Sequence, residues 1–276
     1  MRISRKGGNS SASSATSSKA VKESLDEYDV SAKYYDIWTE DLTDDIAFYQ
    51  QMAGTTGFPI LECMCGTGRI LVPLAENGYE VTGVDRSTAM LDCLTAKLEL
   101  LDDETQGRID VIHDDVRTFK TKERFKLAIV PFNSFLHLLE TEDQENALNN
   151  IRKHLTGDGL LTMSVFNPKL DRAESVVRHH GTKLTAQGEI ISKFECQTFH
   201  QPSQRTTVHY FYDISRQDRQ LRRVTTTFTL RYLFHRETVD LLKRCGFDVL
   251  EVYGDYDFSP FKKTSDLMIF VARKAK

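Results

Sequence analysis

Apolar residues follow two different rhythms along this chain. Over 59–166, short apolar runs alternate with stretches in which apolar positions return every three or four residues. The run 59–65 is ended by glycines, 70–76 reads as a helix stopped by Gly78, and 79–85 is a second apolar run. Met90, Leu94, Leu98 and Leu101 keep helical spacing; strands at 109–112 and 125–130, a helix at about 144–155 and a strand at 160–166 follow. Alternating units of this kind predict a parallel, doubly wound sheet. Upstream, Tyr28, Ala32, Tyr35, Ile37 and Trp38 begin a helical periodicity that resumes at 46–49 beyond the acidic turn 40–45, which predicts two short helices.

Beyond Pro168 the pattern changes. Segments 190–199, 206–214 and 221–231 are rich in Thr, Val, Tyr and Phe with turns at 201–203 and 216–218, so antiparallel strands are expected. A helix at 236–245 with Gly246 in the position that ends it, then apolar runs at 249–253 and 267–272, predict a return to the α/β core through a closing hairpin. The stretch 1–22 holds Arg2, Arg5, Lys6, Lys19 and Lys22, no acid, and a Ser/Ala/Thr tract with nothing to bury. The organisation expected is a disordered leader over 1–23, a core made of 24–169 and 233–276, and an antiparallel β insertion over 170–232. No internal repeat is visible.

Composition narrows the function classes. A chain of 276 residues with 40% hydrophobic and 10% aromatic residues has ordinary globular content, which excludes whole-chain disorder, a collagen-like repeat and a disulfide scaffold. The formal net charge of −4 offers no basic field for a polyanion, so nucleic acid is not the expected partner. Five cysteines lack framework spacing, and no apolar run approaches the roughly 18 residues of a membrane helix. A reduced, cytoplasmic setting without membrane attachment is expected.

The most informative stretch is 61–69, Leu-Glu-Cys-Met-Cys-Gly-Thr-Gly-Arg, which puts glycines between a strand and a helix at the carboxyl edge of the expected sheet. Ligands bind at that edge in doubly wound folds. Gly66 and Gly68 let the backbone turn tightly and approach a ligand. Asp85 ends the neighbouring strand, where a carboxylate accepts hydrogen bonds from both hydroxyls of a ribose; Ser87 is available to cap the helix that follows. The third glycine of a dinucleotide fingerprint is replaced by Leu71, and Arg69-Ile70 stands where a triphosphate loop needs Lys-Ser/Thr. A nucleoside cofactor without a phosphate chain is the reading that remains.

These residues resemble the class I S-adenosylmethionine-dependent methyltransferases. Four stretches match in order: 62–68, Asp85, 113–117 (His-Asp-Asp-Val-Arg) and 130–137 (Val-Pro-Phe-Asn-Ser-Phe-Leu-His). The resemblance covers about 28–166 and returns in the final hairpin; Met64 departs from it, standing where the family often has glycine. A narrower similarity, carried by Tyr28, Tyr35-Asp36, 134–138 and 207–210, is to the small-molecule N-methyltransferases that dimethylate deoxyamino sugars. The resemblance implies a Rossmann-like α/β fold: a doubly wound seven-stranded sheet with a C-terminal antiparallel hairpin and a small antiparallel β insertion. It implies S-adenosyl-L-methionine as cofactor, held by Tyr35, Glu62, Cys63, Gly66, Gly68, Asp85, Arg86, Met90, Asp115, Val116, Pro131 and Asn133, with an acid in 113–117 meeting the adenine amino group. It implies a small-molecule substrate, with His137 and Tyr28 as catalytic groups and the insertion either roofing the substrate or making a homodimer contact.

Methyl transfer is an in-line displacement, so alignment and exclusion of water matter more than covalent chemistry. An amine acceptor must first lose its proton, and an imidazole, with an ordinary pKa of about 6.5, suits that task at His137. On the residues alone, His137 serves equally as a helix-surface group bonded to a carbonyl, Tyr28 as an aromatic packed on the core, and Asn133 as a turn former. Cys63 and Cys65 read as buried strand residues and His179-His180 as exposed, so no metal is expected. In the insertion, His209, Tyr210, Tyr212, Arg231 and Tyr232 alternate between two faces, either of which suits a pocket. Transfer to nitrogen is the leading expectation; transfer to oxygen or carbon, and a cofactor-binding module without turnover, are the alternatives.

Overall fold

The computed structural model describes residues 28, 31–169, 176–216 and 221–275, so the expected leader over 1–23 lies outside the described residues. Two short helices open it, α1 (Ala32–Thr39) and α2 (Asp44–Thr56). The alternating units follow: β1 (Ile60–Cys63), α3 (Leu71–Glu76), β2 (Val81–Asp85), α4 (Thr88–Leu98), α5 (Asp103–Gly107), β3 (Ile109–His113), β4 (Phe125–Val130), α6 (Thr141–His154) and β5 (Leu155–Phe166). Four long antiparallel strands come next, β6 (Arg178–Leu184), β7 (Ile190–His200), β8 (Arg205–Ser215) and β9 (Arg222–Arg231). The chain ends with α7 (His235–Arg244), β10 (Phe247–Tyr253) and β11 (Leu267–Lys274).

The main sheet has seven strands in the order β10-β11-β5-β4-β1-β2-β3, parallel except for β11, which runs antiparallel to both neighbours. This is the doubly wound α/β fold that the alternation predicts. The C-terminal pair is antiparallel as expected, with β11 inserted between β5 and β10. A separate four-stranded sheet, order β6-β7-β8-β9, holds the long strands. The strand rhythm of two sorts apolar residues to opposite faces of the main sheet. Leu61, Cys63, Ala128 and Val130 join α6, α7 and part of the second sheet in one cluster, while Ile60, Leu127 and Ile129 join α2, α3 and α4 in the other. A third, smaller cluster packs Tyr34, Ile37 and Trp38 of α1 against Ile191, Tyr210, Tyr212 and Ile214 of the second sheet.

Three elements differ from the expected pattern. α5 is a single turn, too short to show periodicity. β5 begins directly after α6 at Leu155, five residues before its apolar run. No separate strand is expected over 178–184, where only the exposure of His179-His180 is read; β6 forms there, pairing along β7 with an irregularity between His179 and Gly181, and both histidines are exposed. That irregularity turns His180 toward Glu195, whose Oε2 lies 3.0 Å from Nε2, so the His pair does acquire a carboxylate neighbour. The ends of the helices follow their expected chemistry. Ser87 Oγ accepts from Met90 N at 3.4 Å at the start of α4, and Gly246, at φ +77°, follows α7.

Candidate active site

The carboxyl end of β1 runs into a loop whose backbone turns through left-handed conformations at Met64 (φ +59°), Gly66 (φ +55°) and Gly68 (φ +76°). Gly68 is required for closeness as well as for φ, since a Cβ there would lie 2.4 Å from Leu94 Cδ1 of α4. Met64 takes the left-handed conformation without glycine's freedom, at a cost of about 1–2 kcal/mol, and its side chain packs against the core while lining the cleft. The loop is tied to β2 and to α1. Cys65 N donates to Val84 O at 3.1 Å, and Thr67 Oγ1 donates to Asp36 Oδ1 at 2.7 Å. Lys97 Nζ of α4 donates to the same Asp36 oxygen at 2.9 Å.

Asp85 closes the other side. Its Oδ2 accepts from Gly66 N at 2.7 Å and its Oδ1 from Ser87 N at 2.8 Å, so both carboxylate oxygens are held facing the cleft edge between the loop and α4. Because Ser87 caps α4, the carboxylate is left to the loop. Asp115 is oriented by Arg117: Oδ1 accepts from Arg117 N and Nε at 2.8 Å each, and Oδ2 from an Arg117 terminal nitrogen at 2.7 Å. Arg117 also binds Asp143 Oδ1 at 2.6 Å. These charge-assisted bonds hold the Asp115 carboxyl below the usual carboxylate range despite partial burial.

Glu62 lies beneath the loop, 1% exposed, with Oε2 buried and without a hydrogen-bond partner among the described residues. Burial pushes its carboxyl up to about 8, only partly opposed by the charge of Arg69. Arg69 is itself clamped by Asp45, through an Nη1–Oδ1 bond of 2.8 Å and a second Nη2–Oδ2 bond, and donates to Leu42 O at 3.0 Å. Tyr35 lines the cleft beside this ion pair, and burial raises its phenol to about 12. Opposite them the 3₁₀ turn Ser134–His137 carries His137 to the wall. Tyr28 Oη and His137 Nε2 are 2.9 Å apart, a hydrogen bond whose donor is set by the imidazole tautomer. Phe228 of β9 packs on both rings, with centroids 6.1 Å from Tyr28 and 5.4 Å from His137. A wider hollow opens on the far side of His137 between Arg86, Arg117, Thr227 and Phe228.

The cleft therefore gathers Tyr28, Tyr35, Gly66, Asp85, Arg86, Met90, Asp115, Val116 and His137 of the residues expected from sequence. Five others stand back from its wall. Glu62 and Gly68 support the loop from below and behind, as described. Cys63 is fully buried in β1 and its thiol is pushed upward by burial. Pro131 is buried, and Asn133 takes the left-handed conformation (φ +65°) that starts the 3₁₀ turn. The Asn133 Oδ1 accepts from Phe166 N at 2.6 Å, so its carboxamide joins β4 to β5, the turn-forming alternative, rather than pointing to a ligand. Ser134 and Leu138 of the wall belong to the segment 134–138 that carries the narrower resemblance without being singled out as site residues, and Phe228, 91 positions from His137, is adjacent to it only through the fold. Among the described residues no group of three or more His, Cys, Asp or Glu is placed to hold a metal ion, and no helix is long and apolar enough to cross a membrane.

Residues 60–159 match the family described as methyltransferase domain, which spans β1 to the first part of β5. The chain is similar to a glycine/sarcosine N-methyltransferase of Aphanothece halophytica, 26% identical over 226 residues that make 78% of this chain and 76% of the relative. Among solved structures it superposes on the CcbJ methyltransferase of Streptomyces caelestis with a TM-score of 0.75 and 23% identity, over 91% of this chain and 98% of that one. It also superposes on CalS10 of Micromonospora echinaspora, an amino pentose methyltransferase solved with S-adenosylmethionine bound, with a TM-score of 0.66 and 19% identity over 88% of this chain and 95% of the other.

Proposed function

We propose that this chain, an S-adenosylmethionine-dependent methyltransferase by its domain and its fold, methylates the nitrogen of a small amine held between the glycine loop and the second sheet. The observation that carries the reading is the Tyr28–His137 hydrogen bond of 2.9 Å on the cleft wall facing that loop. The names of the similar proteins support it: the Aphanothece relative is a glycine/sarcosine N-methyltransferase, and CalS10 is an amino pentose methyltransferase.

The residues present fit the cofactor. Asp85 offers two oriented carboxylate oxygens at the sheet edge, suited to the two hydroxyls of a ribose. A Cβ on Gly66 would point into the same space as Met90 Sδ, 3.9 Å away, so the missing side chain leaves room at the loop. Asp115, fixed by Arg117, is an acceptor for an adenine amino group. Bound S-adenosylmethionine supplies an electrophilic methyl group on a sulfonium.

The chain's own part is to orient the acceptor and take its proton. Tyr28 and His137 form a short relay: the phenol oxygen receives the proton released by the acceptor nitrogen while its own proton passes to Nε2 of a neutral imidazole. Phe228 covers both groups and keeps water from the pair. The test is methyl transfer from labelled S-adenosylmethionine across a panel of small primary and secondary amines. With an acceptor in hand, His137→Ala is expected to lower kcat by about 10²–10⁴-fold. Full single-turnover rates in His137→Ala across pH 6–9 would exclude the relay.

A further inference from the structure

The hollow beyond His137 has one wall that the methyl-transfer chemistry does not use. It measures about 500 Å³, within the roughly 300–1,000 Å³ of small-ligand sites, and shares Arg86, His137 and Leu138 with the cleft. Thr227, Phe228 and Thr229 of β9 line it together. Successive strand residues point to opposite faces, so three in a row around one hollow mean that it lies along the edge of β9 and not over a face. That edge is free: β9 is the last strand of its sheet, and among the described residues no backbone outside β8 pairs with it.

The ladder between β8 and β9 fixes which groups the edge presents. Tyr232 N donates to Gln204 O at 2.9 Å just beyond the strand ends, and the register runs unbroken from Arg205 opposite Arg231 to Ile214 opposite Arg222. In an antiparallel pair, bonded and non-bonded positions alternate. Phe228 therefore directs its N–H and C=O at Val208, while Thr227 and Thr229 direct theirs away from β8, to the side of the hollow. Thr227 is exposed and Thr229 half-buried. Free edges are ordinarily blunted by charge, proline or a bulge; over 225–230, β9 has none of the three. Residues of 138–143 form another wall, and Arg231 Nη1 donates to Thr141 Oγ1 at 2.6 Å while Arg205 binds Glu140, which ties the sheet to the start of α6 at one end of this edge.

We propose that the edge of β9 is the recognition element for the methyl acceptor, and that the acceptor is a short peptide bound as an added extended strand, its terminal amine at the Tyr28–His137 pair and its backbone exchanging hydrogen bonds with Thr227 and Thr229. A residue facing either threonine meets a donor and an acceptor at once, and the two positions repeat at about 6.8 Å, a spacing that an extended amide chain matches and an alkylamine does not. The inference rests on the proposed function in placing the amine at that pair; the pairing with β9 stands without it.

The experiment is calorimetric titration of the full chain, with and without S-adenosylhomocysteine, using trialanine amide, its two analogues with sarcosine at the second or third position, and heptylamine. Trialanine amide is expected to bind about tenfold or more tightly than heptylamine, and at least one sarcosine analogue, which lacks a backbone N–H, to lose that margin. Thr229→Pro removes an outward N–H without removing a bond to β8, and is expected to weaken trialanine amide about fivefold or more. Thr225→Pro, in the same phase of the ladder but outside the hollow, is expected to keep the wild-type affinity, and both variants to keep that for S-adenosylhomocysteine. Equal binding of trialanine amide and heptylamine, no loss with either sarcosine analogue, or undiminished affinity in Thr229→Pro overturns the inference. So does a dimer in sedimentation that Thr229→Pro dissolves, which gives the edge to a second copy of the chain. If peptide binding follows these expectations and no methyl passes from labelled S-adenosylmethionine to trialanine amide or any other amine, the proposed function fails and the edge pairing stands.

Discussion

Glu62 sets the electrostatic problem of the site at the scale of one residue. Its carboxyl is buried in β1 under the glycine loop, near the carboxylates of Asp45 and Asp85 and the guanidinium of Arg69. Folded, it keeps its proton to about pH 8; unfolded, it releases it near the ordinary 4.5. The stability this group contributes is therefore complete below pH 4.5 and is lost as pH rises toward 8, at up to about 1.4 kcal/mol per pH unit. Urea unfolding at a series of pH values should show that decline in the wild type and its absence in Glu62→Gln, which keeps the shape and removes the titration. Parallel slopes in the two proteins would mean that Glu62 is ionised in the folded state. The acid itself was legible in the sequence as part of the glycine-loop motif. Its isolation was not, because Asp45 comes from a separate helix and takes up the Arg69 guanidinium, leaving Glu62 only its longer-range field.

At the scale of elements, the loop works because α3 and α4 sit close against β1 and β2. Gly83 in the middle of β2 makes that possible: a Cβ there would stand 2.4 Å from Leu71 Cδ1 of α3 and 2.8 Å from Cys65 Sγ. Gly83→Ala is expected to destabilise the fold by about 1–3 kcal/mol through overpacking. Gly157→Ala, where nothing lies within 4 Å of the new Cβ, should change stability by less than about 0.5 kcal/mol. Equal midpoints for the two variants in urea would show that the α3–β2 contact relaxes freely. Most elements are legible in the hydrophobic pattern because each buries a periodic face. β6 is not: Arg178, His179 and His180 are polar on both sides, and Gly181 at φ +131° interrupts the alternation, so only pairing with β7 makes it a strand. The position of β11 between β5 and β10 is likewise a matter of tertiary register, since two consecutive strands read as a plain hairpin in sequence.

At the scale of the molecule, the two sheets divide the labour. The main sheet presents Asp85, Asp115 and the glycine loop at its carboxyl edge, and their order along the chain made that half of the site readable from sequence. The second sheet brings Phe228 to the other side, against His137, and it meets α1 through Tyr34 and Tyr212, whose rings lie 5.1 Å apart. That half was unreadable because a long antiparallel strand with mixed faces does not reveal which face is inward until a partner covers one of them. The account's central claim is that one cleft, edged by Asp85 and closed by Tyr28 and His137, is where the cofactor binds. The measurement that tests it most directly is calorimetric titration of S-adenosylhomocysteine into the wild type and Asp85→Ala, with NADH as the control ligand. The account predicts saturable binding of S-adenosylhomocysteine alone, weakened by about tenfold or more in Asp85→Ala as two charge-assisted acceptors are lost. Binding that is unchanged by Asp85→Ala would contradict it.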